Sequence, residues 1–299
     1  MYEVLEREGK WDVDAEFQLP DLHGIIADAD VVHDTVDLTS DYYDTADGDL
    51  LAHRVQLRRR AGDADTGWQL KVPAGDGRVE MHWPSTETLP DAAAGLLSGM
   101  SLGKPLASVA TIHTVRDRYR LAEPRSGELY AEIADDSVRA WADERLLAWR
   151  EVEVELGTHA PSIPKRLVRR LKKAGARPSR FPSKLAHVVP PVQSVESTSP
   201  AARAVLRYVN AQIDQIVLGD IELRRGRDPI HDTRVAIRRL RSTLRVFGKM
   251  LDRSAIDQLD EDLRWFAGLL GDVRDCQVQQ RRFTEALDEL PETLILGPV

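Results

Sequence analysis

The sequence contains one cysteine, Cys276, in 299 residues, so no internal disulfide forms and any fold rests on packing. A lone thiol fits a reducing compartment, and the cytoplasm is the expected location. No apolar run approaches the roughly 20 residues of a membrane-spanning helix. The N-terminal segment lacks the apolar stretch of a secretory signal, so no membrane association is expected. Aromatics make up 6% of the chain, and its densest basic run has no aromatic stacking platform beside it, which weakens a single-strand nucleic-acid reading. Net charge is −8, ordinarily an argument against a polyanionic partner. The charges are segregated, however. Between Arg224 and Lys249 nine Lys or Arg stand against two acids, Asp228 and Asp232, and a ligand feels the local field.

What is present points to two domains, at a prior of about 150 residues each. Within a first domain of residues 1–189, residues 1 to about 156 read mainly as strands with turn punctuation. The strand candidates are Leu50–Arg60, Gly67–Val72, Val79–Trp83, Thr111–Leu121, Glu128–Ala134, Val138–Ala142 and Ala148–Leu156. Asp47-Gly48-Asp49 and Gly75-Asp76-Gly77 are hairpin signals. Leu89–Leu97 and the basic stretch Ile163–Ala174 read as helices. Residues 190–199, rich in proline and serine, form the expected linker. Residues 200–299 are read as all-α. One helix is capped by Ser199 with Pro200 at its first position, a second spans Pro229–Leu251, and a third (Ser254–Leu270) and a fourth (Asp272–Leu290) meet near Gly271. The apolar stub Leu294–Val299 is expected to belong to a fragmentary second domain. The fold class is therefore α+β, a closed antiparallel β structure with flanking helices, followed by a helical bundle.

Charged residues recur at alternate positions in several strand segments. Side chains two apart on a strand share a face. Glu6, Glu8 and Lys10 thus aim two carboxylates and an ammonium into one space. Arg54, Gln56, Arg58 and Arg60 do the same with three guanidiniums and an amide, and Arg116, Arg118 and Arg120 repeat it. Glu151, Glu153 and Glu155 alternate with Val152, Val154 and Leu156, which face the other way. One such strand would read as an ordinary solvated face. Five of them, with Glu128–Glu132 as the fifth and the set sorted by sign, do not. Closing the sheet into a barrel places both sets in one lumen. Arginine's planar fork suits phosphate oxygens, and clustered carboxylates suit Mg²⁺ or Mn²⁺ bridged to phosphates. Charges buried on this scale must be paired or metal-bound.

Glu6-x-Glu8-x-Lys10, the arginine-rich block, Trp68–Lys71, Arg116-x-Arg118 and Glu151-x-Glu153-x-Glu155 together resemble the CYTH domain of the triphosphate tunnel metalloenzymes, over about residues 1–190. The resemblance implies an eight-stranded antiparallel tunnel that binds triphosphate-containing substrates and divalent cations. Carried over by position, Glu6, Glu8, Glu153 and Glu155 surround metal, with Glu132, Asp136 and Glu151 as further candidate ligands. Lys10, Arg58, Arg60, Lys71, Arg116 and Arg118 are the implied phosphate contacts. Ser183-Lys184 matches the family's closing Ser-Lys, which places Lys184 near one tunnel mouth as a further implied phosphate contact. The implied reaction is phosphoryl transfer to water with Glu6, Glu8 and Lys10 in the catalytic group and the general base unassigned. No serine sits in a nucleophile elbow and Cys276 lies in the other domain, so nothing supports covalent catalysis. Thiamine triphosphatase and adenylate cyclase activities share this tunnel, and a non-catalytic polyphosphate clamp is the alternative of another class.

In the helical half, His231, Arg234, Arg238, Arg241, Arg245 and Lys249 fall within an arc of about 80° on a helix, apart from the apolar stripe Ile237, Leu240, Leu244, Phe247 and Leu251. Solvated helix faces interleave Glu with Lys four apart. A face of one sign reads instead as an anion site. Together with Leu270-Gly271-Asp272-Val273-Arg274-Asp275 this stretch resembles the CHAD domain, over the first of that family's two similar helical halves. The resemblance implies binding of inorganic polyphosphate by those six residues, beside hydrolysis of inorganic triphosphate or short polyphosphate in the tunnel. Contact of the basic helix with nucleic-acid phosphates is the weaker reading. The sequence carries no signature of oligomeric state.

Overall fold

The computed structural model describes residues 1–26, 29–64, 66–142, 145–190, 199–248, 253–288 and 290. It divides into two compact units, Met1–Ser194 and Val195–Val299. Most of the expected linker, residues 191–198, lies outside the described residues, as do Lys249 and the stub 294–299.

The first unit contains strands β1 (Tyr2–Glu6), β2 (Glu8–Val13), β3 (Asp30–Asp44), β4 (Gln56–Ala61), β5 (Gly67–Ala74), β6 (Gly77–Trp83), β7 (Ala107–Ala122), β8 (Leu129–Ala142), β9 (Arg145–Leu156) and β10 (Arg177–Pro178). Its helices are α1 (Asp49–Ala52), α2 (Asp91–Ser101), α3 (Lys165–Lys173) and α4 (Lys184–Val188). The strands form one antiparallel sheet in the order β1-β6-β5-β4-β3-β7-β8-β9-β2-β10. β1 pairs with β6, Glu6 opposite Arg78, while β2 pairs with β9, Glu8 opposite Glu155. Only Arg7 separates β1 from β2, so the chain itself joins the two ends of the sheet. The sheet therefore closes into a tunnel. Because β1 and β2 share one segment and β10 is two residues long, eight long strands make the wall.

The apolar face of this wall points outward. α3 buries Leu167 and Leu171, both 0% exposed, among Trp11, Val13, Ile133, Val152 and Val154. Burial of each leucine contributes ~1.5–3 kcal/mol. With that side sealed, the alternate charged residues turn inward, the reverse of an ordinary half-exposed sheet.

The structure differs from the sequence reading at several elements. β3, absent from the strand candidates, is a 15-residue strand paired along its whole length with β7. Leu50–Arg60 is not one strand. The buried Asp44 carboxylate accepts from the N–H groups of Leu50 and Leu51 and starts α1, and Arg54 then turns the chain at φ 61°. Arg54 consequently leaves the alternating set, which begins at Gln56. Glu128–Ala134 and Val138–Ala142 are parts of one strand, since Asp135, Asp136 and Ser137 keep their partners on both β7 and β9.

The second unit is helical: α5 (Pro200–Arg224), α6 (Ile230–Phe247) and α7 (Arg253–Asp288). Ser199 caps α5 by accepting from the Ala202 N–H. Ile237, Leu240, Leu244, Leu263 and Leu270 form the core, with Val209, Ile213 and Ile216 of α5 packed on it. At Gly219 a Cβ would stand 2.3 Å from Thr233 Oγ1, so glycine is what lets α5 and α6 approach there. The expected third and fourth helices are the single helix α7, which runs through Gly271 without a break. Among the described residues no helix is long and apolar enough to cross a membrane.

Candidate active site

The tunnel encloses a cavity of about 230 Å³. Glu6, Glu8, Lys10, Arg58, Arg60, Lys71, Arg116, Arg118, Glu132, Glu153, Glu155 and Lys184 all line it. Strand alternation puts all but Lys184 inside, and α4 contributes Lys184. Asp136 and Glu151 sit behind this lining, 0% and 2% exposed.

Register determines which charge meets which. Lys184 Nζ lies 2.7 Å from Asp136 Oδ2 and 2.8 Å from both Glu151 Oε1 and Glu153 Oε1. Arg116 donates from Nε and Nη2 to the two Asp136 oxygens, both at 2.8 Å, and from Nη2 to Glu153 Oε2 at 2.7 Å. Lys10 also donates to Glu153. Burial opposes charge here, yet Lys10, Lys184 and Arg116 hold the Glu153 carboxyl well below its usual range. The same opposition holds Lys184 above the usual ammonium range through Asp136, Glu151 and Glu153. Oxygens of Asp136, Glu151 and Glu153 come within 4.8 Å of one another, close enough for a metal. Lys184 already supplies their cation, so these three do not present a vacant donor set.

A second network crosses β1, β6, β5 and β4. Lys71 Nζ donates to both oxygens of Glu6 at 2.7 Å and lies 3.3 Å from Glu80. Arg58 reaches Glu80 at 3.2 Å, Gln69 at 2.6 Å and the Tyr42 hydroxyl at 3.3 Å. Arg118 is held by Asp34 through two bonds of 2.6 and 3.0 Å and by Asp63 at 2.7 Å. Glu80, Asp34 and Asp63 were not singled out from the sequence. Glu80 carried a usable signal, as the one acid in the strand candidate Val79–Trp83. Asp34 lies on β3, the unrecognised strand.

Two features remain unbalanced. The first is a row of acids: Glu8 stands opposite Glu155, and Glu155 opposite Glu132. Glu8 has Lys10 at 3.0 Å and Glu132 has Arg116 only at 3.8 Å. Among the described residues Glu155 has no ion pair. Burial, then the nearby Glu6 charge, push the Glu155 carboxyl from an ordinary 4.5 to about 8, and Glu132 and Glu80 add to the effect. Burial likewise raises Glu132, against the pull of Arg116 and Arg118. Three half-buried carboxylates, of which only Glu8 has a close cation, are the oxygen-rich donor set a divalent ion takes, so a metal fits this row. The second feature is Arg60, whose Nε is buried without a hydrogen-bond partner. Burial and the neighbouring Arg58 and Arg116 lower it to about 10.

In the helical unit, His231, Arg234, Arg238, Arg241 and Arg274 line one groove beside Ala267. Arg274 joins the stripe expected on α6. The stripe is not free of acid once folded, because α7 brings in Asp260. Arg241 makes two bonds to it at 2.7 and 3.1 Å, and Arg245 lies 3.6 Å away. Arg274 lies 4.0 Å from Asp228, and Arg234 and Arg238 carry the remaining guanidinium charge of the groove.

Comparison with known proteins agrees with this architecture. The CYTH domain family matches residues 5–180 and the CHAD domain family residues 207–298. Two curated Mycobacterium tuberculosis proteins, the uncharacterized proteins MT2285 (strain CDC 1551 / Oshkosh) and Rv2226 (strain ATCC 25618 / H37Rv), are each 34% identical over 99% of this chain. The chain spans 62% of the length of these relatives. A solved structure from Bacillus halodurans is 19% identical with a TM-score of 0.40, covering 62% of this chain and 98% of its own. HpAC1 from Hippeastrum, a protein with a dominant triphosphatase activity, is 18% identical with a TM-score of 0.32, over 64% of this chain and 99% of its own. The chain thus belongs to the CYTH domain family, its CYTH domain followed in sequence by a CHAD domain.

Proposed function

We propose that the tunnel hydrolyses a phosphoanhydride bond of inorganic triphosphate or short polyphosphate with the help of Mg²⁺ or Mn²⁺, and that the basic groove of the helical unit retains longer polyphosphate. The observation that carries this reading is a pair of undercompensated features in one lumen: a carboxylate row in which Glu155 has no ion pair and Glu132 only a distant one, and an arginine, Arg60, whose buried Nε has no partner. A metal-bound triphosphate has the charges to satisfy both. Glu8, Glu132 and Glu155 would hold the ion, which when bound supplies charge neutralisation at the phosphate oxygens. Arg60, with Arg58 and Arg116 flanking it, binds the phosphate chain in a cavity screened from bulk water, where each charged contact is stronger than in solvent. Lys10 and Lys184 orient Glu153 and keep it ionised. The cytoplasm, with its reducing pool and nucleotide-phosphate metabolism, is the proposed location.

The direct test is phosphate release from triphosphate, polyphosphate, ATP and thiamine triphosphate, with divalent cation and with chelator. Release from triphosphate that needs the cation is the expected result, and a preference for ATP or thiamine triphosphate would move the assignment to an organic substrate. Arg60→Met is expected to raise KM for triphosphate by roughly tenfold or more, the size of a lost charged hydrogen bond, without loss of stability. An unchanged KM would remove Arg60 from the binding set. In the helical unit, Arg234→Gln with Arg238→Gln should weaken retention of long polyphosphate and leave triphosphate turnover intact. Equal loss of both activities would contradict that division.

A further inference from the structure

Between Lys165 and Lys184 the chain has nine Lys or Arg and no Asp or Glu, within a protein whose net charge is −8. The tunnel uses only the last of these. Most of the rest belong to α3, whose buried side is fixed by Leu167 and Leu171. Arg166 and Arg170 have a structural task. Arg166 donates to the Gly24 carbonyl at 2.6 Å, and Arg170 donates to the carbonyls of Asp21 and His23, clamping the loop that packs beside the helix.

Lys165, Arg169, Lys172 and Lys173 have no such task. All four are exposed, and among the described residues none of their side chains forms an ion pair or hydrogen bond. At ~100° per residue they fall within about 100° of arc, and Lys165 and Lys172 are about 10 Å apart along the axis. A face held only for solubility would interleave acids four residues away, where a Glu-to-Lys pair stabilises the helix and like charges destabilise it. Here repulsion within the face is left uncompensated.

The same run of cations leads to the tunnel. After α3, Arg177-Pro178 pair with Asp12-Trp11 of β2, and the Ser179 N–H donates to the Lys10 carbonyl at 3.0 Å. Arg180 stands over the Phe181 ring at 5.0 Å. Phe181 and Pro182 then line a depression together with Glu6, Glu8, Lys10 and Arg78, all of which also line the lumen. Arg78 donates to the Pro182 carbonyl at 3.1 Å, fixing this lip. A lumen of about 230 Å³ contains only a short stretch of a long chain. The remainder must lie along the outer surface.

We propose that the exposed face of α3, continued by Arg180, binds linear polyphosphate and leads it to the tunnel mouth at Lys10 and Arg78. The inference rests on the tunnel reading above and extends it to the path of the substrate. The exposed face of α3, a narrow file of cations without aromatic or amide side chains to read bases, matches a single unbranched chain of phosphates and favours it over nucleic acid.

The test is the full chain carrying Lys165→Gln, Arg169→Gln, Lys172→Gln and Lys173→Gln, all on the exposed face, compared in a background of Arg234→Gln and Arg238→Gln that weakens the groove of the helical unit. Binding of end-labelled long-chain polyphosphate is followed by fluorescence anisotropy across a salt series, with a duplex DNA of matched charge as the second arm, and triphosphate turnover is measured alongside. Kd for long polyphosphate should rise about tenfold at low salt, its dependence on salt should become shallower as phosphate contacts are lost, and triphosphate kcat and KM should not move. An unchanged polyphosphate Kd overturns the proposal. So does an equal loss of DNA and polyphosphate binding, which would make the face a cation patch without preference. Failure of the tunnel reading looks different: the wild-type chain would release no phosphate from triphosphate, whatever the comparison of binding gives.

Discussion

Lys184→Met is expected to lower the unfolding free energy by about 3–5 kcal/mol at neutral pH, because it strands buried carboxylates without their cation. Lys184 Nζ is within 2.8 Å of three carboxylates, two of them essentially inaccessible to water. Arg116 continues to serve Asp136 and Glu153 in the variant. Glu151 is left with the Trp149 indole N–H at 2.6 Å and His187 at 3.6 Å. Burial already raises the Glu151 carboxyl and lowers His187 to about 4, so the imidazole is neutral and gives no replacement charge. The sign of the pH dependence follows. In the wild type, Asp136 and Glu153 have depressed carboxyls, so their stabilisation is present above the ordinary carboxylate pKa and is lost on acidification. In the variant the stranded carboxyls shift upward and become protonated more readily. The deficit should therefore be largest near neutral pH and shrink as the pH falls through the carboxylate range. Adding Glu151→Gln to Lys184→Met should recover part of the loss, since removing both partners of a buried pair is far milder than removing one. Urea unfolding of the three proteins measures this. A loss below about 1 kcal/mol with no recovery in the double variant would mean that water, not protein, surrounds this cluster.

How far the sequence revealed this site depends on the range of the interaction involved. Strand alternation is local, and it marks Glu6, Glu8, Lys10, Arg58, Arg60, Arg116, Glu153 and Glu155 as sharing the lumen face. The pairings are not local. Lys184 reaches Asp136, Glu151 and Glu153 only because β8 and β9 adopt one register and α4 folds back on them. β3 escaped notice because its alternation lacks the apolar contrast that marks a strand. Its inward members include Asp34 and Ser40, and its first half is largely exposed. Leu50–Arg60 misled in the opposite way, because an apolar run concealed a short helix initiated by a side chain six residues upstream. Gly271 read as a break, yet a lone glycine costs a helix only about 1 kcal/mol. The packing of Phe266 and Leu270 on α6 offsets this, and Arg234 lies 3.4 Å from where a Cβ at Gly271 would be. The acid that neutralises Arg241 was equally hidden, since Asp260 meets it only through tertiary packing.

Glu155→Gln is expected to separate stability from activity, reducing metal-dependent phosphate release on the order of 10²–10³-fold while stabilising the metal-free protein above neutrality. The argument for stability is electrostatic. Glu155 stands between Glu8 and Glu132 in register, and burial together with Glu6 raises its carboxyl to about 8. A carboxyl raised on folding favours the native state below its ordinary 4.5 and ceases to do so as pH rises through 8. Wild-type Tm in chelator should therefore fall across that window. Glutamine has no proton to lose, so the variant should fall less, and the difference should widen with pH. Each kcal/mol gained corresponds to a Tm rise on the order of 2–4 °C for a domain of this size. Divalent cation reverses the order. Binding to the native row stabilises the wild type by RT ln(1 + [L]/Kd), and the variant, lacking one of three carboxylates, gains less. The crossing of the two Tm curves on adding Mg²⁺ or Mn²⁺ is the signature to measure, beside the loss of turnover. Parallel curves in chelator would show that Glu155 is not crowded by its neighbours. A cation-induced Tm shift of equal size in both proteins would place the metal away from the Glu8–Glu155–Glu132 row, leaving the cluster around Lys184 as the donor set to re-examine.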